Sequence, residues 1–296
     1  MKENWIVQNE KLHPENQKIL NEFLVHMRIK NLSSHTIRNR LWFLQGFLIF
    51  IDKPLTSLTQ DDILDWINEK CTGVKEATVS WRLGTLSVFI KFCQEKRRKY
   101  IDDSVYIKKR WKPKIPKPLP KYLDEDELAR TKIAADKQKL RDRAIFGFTL
   151  DSGCRVGEVA GLELRNVDLE NRTAVIKGKG RKVRQVHFSE KSGMLLEKVI
   201  ENHPRSDVTV FLNKDGNRMH ERSFQNIMIK IGAEAGLAKK LMPHQIRHTF
   251  ATRLLNKGAP LEFISEELGH SNISTTTIYA RVLDKSIIES YRKCMG

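Results

Sequence analysis

With 296 residues and 40% hydrophobic content, the chain has room for two ordinary domains that each bury a core. Its formal charge of +17, from lysines and arginines spread through both halves, calls for a polyanionic partner, and nucleic acid is favoured over an anionic membrane surface. No apolar run approaches the roughly 18 residues of a membrane span, and the polar opening MKENWIVQNEKLHPENQK is no signal peptide, so a cytoplasmic protein with no membrane partner is expected.

From about Glu15 to Lys99 the pattern predicts helices and no strand. The first carries Ile19, Leu20, Phe23, Leu24 and Met27 at helical spacing and stops near Asn31. Ser33 or Ser34 can cap a second, with Ile37, Leu41, Leu44 and Leu48 on one side, widened by Phe47 and Ile51, and His35, Arg38 and Arg40 elsewhere. Thr59 with Asp62 resembles a capping box opening a third helix through Ile63, Leu64 and Ile67. A fourth, from about Ala77 to Lys96, places Val79, Leu83, Leu86, Ile90 and Cys93 on one stripe and leaves Arg82 and Lys91 outside it, available to DNA. Residues 1–107 thus read as a helical DNA-binding unit, or as an ordinary bundle with a solvated basic face.

Residues 108–121, KKRWKPKIPKPLPK, hold seven basic residues and four of the nine prolines. That composition rules out a regular helix or central strand and favours an extended connector able to lie along a phosphate backbone. Residues 122–296 then alternate helix and short strand. Asp124 opens an acidic helix start, Leu140 to Leu150 reads as a buried helix, and DSGCRVGEVAGLEL turns Arg155 onto a short helix with Glu158 one turn on. An arginine there suits a phosphate; the alternative is a local ion pair with Glu158 worth a few tenths of a kcal/mol. The stretch TAVIKGKGRKVRQVH predicts a hairpin with Lys177, Lys179, Arg181 and Lys182 near its tip. Helices are expected from about Glu190 to Asn202 and Glu221 to Ala235. The four cysteines, Cys71, Cys93, Cys154 and Cys294, form no C-x-x-C pair, so neither zinc nor a disulfide framework is expected.

The stretch LMPHQIRHTFATRLLNKGAPLEFISEELGHSNISTTTIY carries His244 and Arg247 on one predicted helix face, His270 at a second helix end, and Tyr279. These side chains suit phosphate chemistry, because a tyrosine hydroxyl attacks phosphorus if its proton is taken and the developing charge is neutralised. With 9 His and 53 Lys or Arg, an H-x-x-basic pair arises by chance roughly one to two times, so the series matters more than the pair.

Taken in order, Arg155, Lys179, His244, Arg247, His270 and Tyr279, within GCRVGE, IKGKGRK, PHQIRHTFAT, LGH and TTTIY, resemble the tyrosine recombinases of the phage integrase family, in particular its bacterial Xer-like members. The resemblance covers the second half specifically and the helical first half more generally. No amino-terminal arm-binding domain precedes it, and the interval of about 65 residues from Lys179 to His244 leaves no room for the insertion of integron integrases. It implies a mainly α fold with a small β component (α+β): a helical, SAM-like core-binding domain and a catalytic domain ending in a tail helix.

The resemblance also implies roles. Tyr279 attacks the scissile phosphate to give a 3′-phosphotyrosine and a free 5′-hydroxyl. Arg155 and Arg247 clamp the non-bridging oxygens, with Glu158 supporting Arg155. Lys179 protonates the leaving oxygen, His244 accepts the tyrosine proton, and His270 binds the phosphate. Bond energy is conserved, so no metal, ATP or other cofactor is needed. The expected partner is double-stranded DNA, engaged as a homotetramer on two synapsed sites, alone or with a second recombinase; the tail, with Leu283, Ile287, Ile288, Tyr291 and Cys294 on one face, is expected to dock into a neighbouring protomer or on its own domain. Chromosome-dimer resolution and the integration or excision of a mobile element both fit. A type IB topoisomerase and a catalytically silent DNA-binding regulator on the same fold are the rivals. The LGH-to-Tyr279 spacing and the complete residue set argue against them.

Overall fold

In a computed structural model, the chain divides into two units, Met1–Lys117 and Pro118–Gly296. The structure describes residues 6–95, 99–115, 120–178, 183–204, 208–269 and 276–279, with Arg292 and Met295. Lys179, Arg181, Lys182, His270 and all but those two residues of the tail lie outside that set.

The first unit is built on α1 (Pro14–Ile29), α2 (Ser34–Ile51), α3 (Gln60–Cys71) and α4 (Glu76–Gln94). Ser33 caps α2, and Thr59 and Asp62 close a reciprocal capping box at the start of α3, satisfying donors that a helix start leaves open. The apolar stripes of α1, α2 and α4 meet in one core, which includes all five stripe positions of α4. On α3 the expected set differs: Ile63 is buried, but it is joined by Trp66, whose ring meets Phe43 and Phe47 edge-on, and by Cys71, while Leu64 and Ile67 lie at the margin. Buried Asn16 donates to the Lys53 carbonyl and accepts from the Leu55 N–H, holding the turn after α2. Within the proline-rich stretch, Lys109–Trp111 forms a 3-10 turn instead of extended chain, and the Trp111 ring lies under the Lys108 ammonium.

The second unit runs α5 (Glu125–Asp136), α6 (Leu140–Ser152), α7 (Val156–Ala160), β1 (Val167–Asp168), β2 (Thr173–Lys177), β3 (Val183–His187), α8 (Glu190–Glu201), α9 (Glu221–Glu234), α10 (Pro243–Asn256) and α11 (Leu261–Leu268). The three strands form one antiparallel sheet in the order β1-β2-β3. The architecture is mainly α with a small β component. β1, two residues long, carries no alternation that a sequence pattern could reveal. Ala174, Ile176 and Val186 turn into a core shared with α5, α6 and α9.

Two junctions position the functional side chains of this unit. Thr249 on α10 accepts from the Leu123 N–H, tying the start of the unit to that helix. Helix α6 ends at Gly153, in the left-handed region at φ +59, where a Cβ would fall onto the ring of Phe250. Only glycine meets both demands. Gly153→Ala is therefore expected to cost about 2–4 kcal/mol, combining the backbone penalty with overpacking against Phe250. Urea denaturation of the full chain checks it; a change under 1 kcal/mol would contradict this close approach.

Candidate active site

Beyond Gly153 the chain passes through buried Cys154, whose thiol burial pushes up to about 11, and Arg155 then opens α7. Glu158, one turn along and only 6% exposed, accepts from the Arg155 backbone N–H at 2.8 Å and from its Nη1 at 3.0 Å. The Arg155 side chain stays 37% exposed, anchored on one edge and open on the other.

Glu158 has a second partner that the sequence pattern did not single out. Arg184 on β3 forks onto the same carboxylate, Nη1 to Oε1 at 3.0 Å and Nη2 to Oε2 at 2.8 Å. Burial alone would raise the pKa of Glu158, but the hydrogen bonds from Arg184 and Arg155 hold it below its ordinary value. The i,i+3 ion pair of Arg155 and Glu158 is thus one side of a three-membered cluster.

Helix α10 brings the next group. Arg247, 4% exposed, donates Nη1 to the Gly153 carbonyl at 2.7 Å and Nη2 to the Leu268 carbonyl at 2.6 Å, linking the ends of α6 and α11. A guanidinium has five donors, so these bonds occupy one proton on each terminal nitrogen. Burial first, and then the charge of Arg155, push its pKa down to about 10, so it is still a cation at neutral pH. One turn earlier, His244 opens onto a cavity of about 390 Å³ whose wall also includes Arg155, Glu158, Lys177 and Arg247. Desolvation, Arg247 and Arg155 hold the imidazole below its usual pKa. Unpaired buried positive charge of this kind is costly until an anion arrives. Lys177 reaches the same wall while paired to Glu163 at 2.9 Å.

Tyr279 stands apart from that wall. It is 1% exposed, packed among Phe250, Ala251, Leu255, Ile264 and Leu268, and burial holds its hydroxyl above the ordinary tyrosine pKa. Its oxygen lies 2.8 Å from Nδ1 of His248. From the sequence alone His244 was expected to take the tyrosine proton; in this arrangement His248, four residues on, is the histidine at the hydroxyl. The motif H-x-x-R-H held that signal, since residues 244 and 248 share one helix face.

In the first unit, Arg38 and Lys91 are exposed, and Arg40 and Arg82 are half-buried. Arg82 donates Nη1 to the Lys70 carbonyl at the end of α3. Among the described residues no cluster of His, Cys, Asp and Glu could hold a metal ion, and no helix is long and apolar enough to cross a membrane.

Residues 121–286 match the model of the phage integrase family. The tyrosine recombinase XerC of Thermodesulfovibrio yellowstonii is 32% identical over 291 residues, covering 94% of this chain and 96% of the relative. The chain belongs to the phage integrase family. XerA of Pyrococcus horikoshii is 30% identical over 282 residues, covering 94% of each chain. Among solved structures, a XerA recombinase superposes with a TM-score of 0.54 at 26% identity, over 95% of this chain and 99% of that one. XerH bound to palindromic difH substrate in a post-cleavage complex shares the fold, with a TM-score of 0.74 at 21% identity over 96% of this chain and 90% of its own. As a phage integrase family member the chain is a tyrosine recombinase, an enzyme that cleaves and rejoins DNA, and the Xer-like assignment is favoured over a mobile-element enzyme or a silent regulator.

The recombinase's His248 makes the buried pocket pH-sensitive. Burial, His244 and Arg247 push its pKa down to about 4 from an ordinary 6.5. Since the folded state resists protonation, the contribution to stability is complete above about pH 6.5 and is lost as pH falls towards 4. Over that window the wild type should lose about 3 kcal/mol more stability than His248→Asn, as an upper figure. Parallel unfolding curves for the two proteins across that range would remove this role.

Proposed function

We propose that this recombinase cuts DNA with Tyr279 and exchanges strands through a 3′-phosphotyrosine, acting as a Xer-like site-specific recombinase on double-stranded DNA. The observation that carries the residue roles is the convergence of Arg155, His244 and Arg247 on one cavity. Two guanidinium groups from different helices can hold both non-bridging oxygens of a phosphate, and the anion would relieve the charge strain that depresses Arg247. Lys179 follows the hairpin residue Lys177 that already reaches this wall, and serves as general acid for the leaving 5′-oxygen. His270 follows the Leu268 carbonyl held by Arg247 and binds the same phosphate.

Tyr279 must leave its apolar pocket to reach that phosphate: His248 hydrogen-bonds the neutral hydroxyl inside the pocket, and His244 accepts its proton as it attacks. The first unit reads the duplex through α2 and α4, with Arg38, Arg40, Arg82 and Lys91 as contacts; Lys177, Arg181 and Lys182 supply those of the hairpin. Each chain carries one nucleophile and a complete exchange breaks four strands. A homotetramer on two synapsed sites, alone or with a second recombinase, therefore supplies one tyrosine per cut. The cytoplasm is the proposed compartment.

Tyr279→Phe should retain DNA binding and form no covalent adduct on a nicked suicide substrate, because it loses one oxygen and keeps the basic surface. Trapped DNA with this variant would move the nucleophile elsewhere. Lys179→Ala should cleave an ordinary phosphodiester on the order of 100-fold more slowly, and a 5′-bridging phosphorothioate, whose sulfur leaves unprotonated, should restore the rate. Rescue of His244→Ala in its place would exchange the two roles.

A further inference from the structure

Arg184 lies on the hairpin strand that returns from the basic tip, yet only 12% of its side chain is exposed. Its guanidinium meets three segments at once. It forks onto Glu158 of α7, sends Nε to the Glu267 carbonyl in the last turn of α11 at 2.9 Å, and sets Nη2 3.9 Å from the Cys154 sulfur. It also lies against Gly269, where a Cβ would come within 2.9 Å of its Cδ and Nη1. Gly269 has φ +61, so both conformation and space demand glycine there.

The carboxylate between the two arginines is shared unequally. Arg184 takes both oxygens with its side chain; Arg155 takes one with its side chain and the other with its backbone N–H. One negative and two positive charges leave the cluster with a net +1. Without Arg184, Glu158 and Arg155 would neutralise each other, and the Arg155 fork would be drawn wholly onto the carboxylate. We propose that Arg184 is a positioning residue for strand cleavage: it takes up the charge of Glu158 so that the charge of Arg155 remains available to the scissile phosphate. The inference rests on the proposed recombinase chemistry. A buried ion pair that only fastened the hairpin to α7 would make a different prediction, because its loss, and any relief in the E158Q background, would follow the stability of each variant.

A double-variant cycle separates the two, using full-length protein under single-turnover conditions on the nicked suicide substrate. R184Q should cleave on the order of 100-fold more slowly than wild type, the scale of losing one charge-stabilising donor. In the E158Q background, where no carboxylate competes for Arg155, the same R184Q change should cost less than roughly fivefold relative to E158Q. Thermal unfolding of each variant accompanies the rates, and the suppression should not follow the order of melting temperatures. Where R184Q by itself does not fold, the comparison of E158Q with E158Q/R184Q still decides: a loss above about tenfold in that background overturns the proposal. So does wild-type cleavage by R184Q. Failure of the wild type to trap covalent DNA would instead overturn the recombinase reading beneath it.

Discussion

The Glu158 carboxylate is the constraint on which the cavity depends. It is buried, it carries a full charge, and both its oxygens are committed to arginines from different segments of the chain. An isolated carboxylate in that position would be neutralised by a raised pKa; two guanidinium groups keep it ionised. In return it fixes the backbone turn that aims Arg155 and anchors the hairpin to the start of α7. The β-hairpin, the Gly153 turn and the end of α11 are therefore held in register by electrostatics as well as by the apolar core beneath them.

Helix α10 supplies the complementary constraint. Its residues face two environments within one turn and a half: His244 and Arg247 look towards the charged cavity, while His248 and Phe250 look towards the apolar pocket that contains Tyr279. Arg247 bridges the two by holding carbonyls from α6 and α11. Its burial, and then its place beside the Arg155 cation, are electrostatically unfavourable and hold Arg247 well below the usual guanidinium range. In the proposed mechanism that unfavourable charge is what a bound phosphodiester relieves, in keeping with sites built for developing charge.

Much of the architecture was legible because it follows from periodicity. The stripes of α1, α2 and α4, the capping box at Thr59, the acidic helix start at Asp124 and the β2–β3 hairpin all follow from the spacing of apolar and polar residues. Trp66 was less visible than Ile67 because an indole one position away can fill the same groove. In the site, Arg155, His244 and Arg247 could be picked out because motif and chemistry agreed. Arg184 could not, since a basic hairpin makes every arginine look solvated. The one available signal was strand alternation, which puts residue 184 on the same face as the buried Val186. His248 was hidden by its neighbours: next to H-x-x-R a second histidine reads as redundant, and only the fold reveals that it turns to Tyr279.

The withdrawn position of Tyr279 has a kinetic meaning. Extracting a fully buried aromatic side chain and breaking its hydrogen bond to His248 costs about 3–4 kcal/mol, so a single chain exposes the Tyr279 hydroxyl on the order of once in several hundred molecules. With Tyr279 as the proposed nucleophile, occupancy of a DNA site and damage to it are uncoupled. In that proposed mechanism fidelity need not come from base recognition alone: the small exposed population, enlarged by a complex able to stabilise the extracted tyrosine, sets a second threshold for cutting.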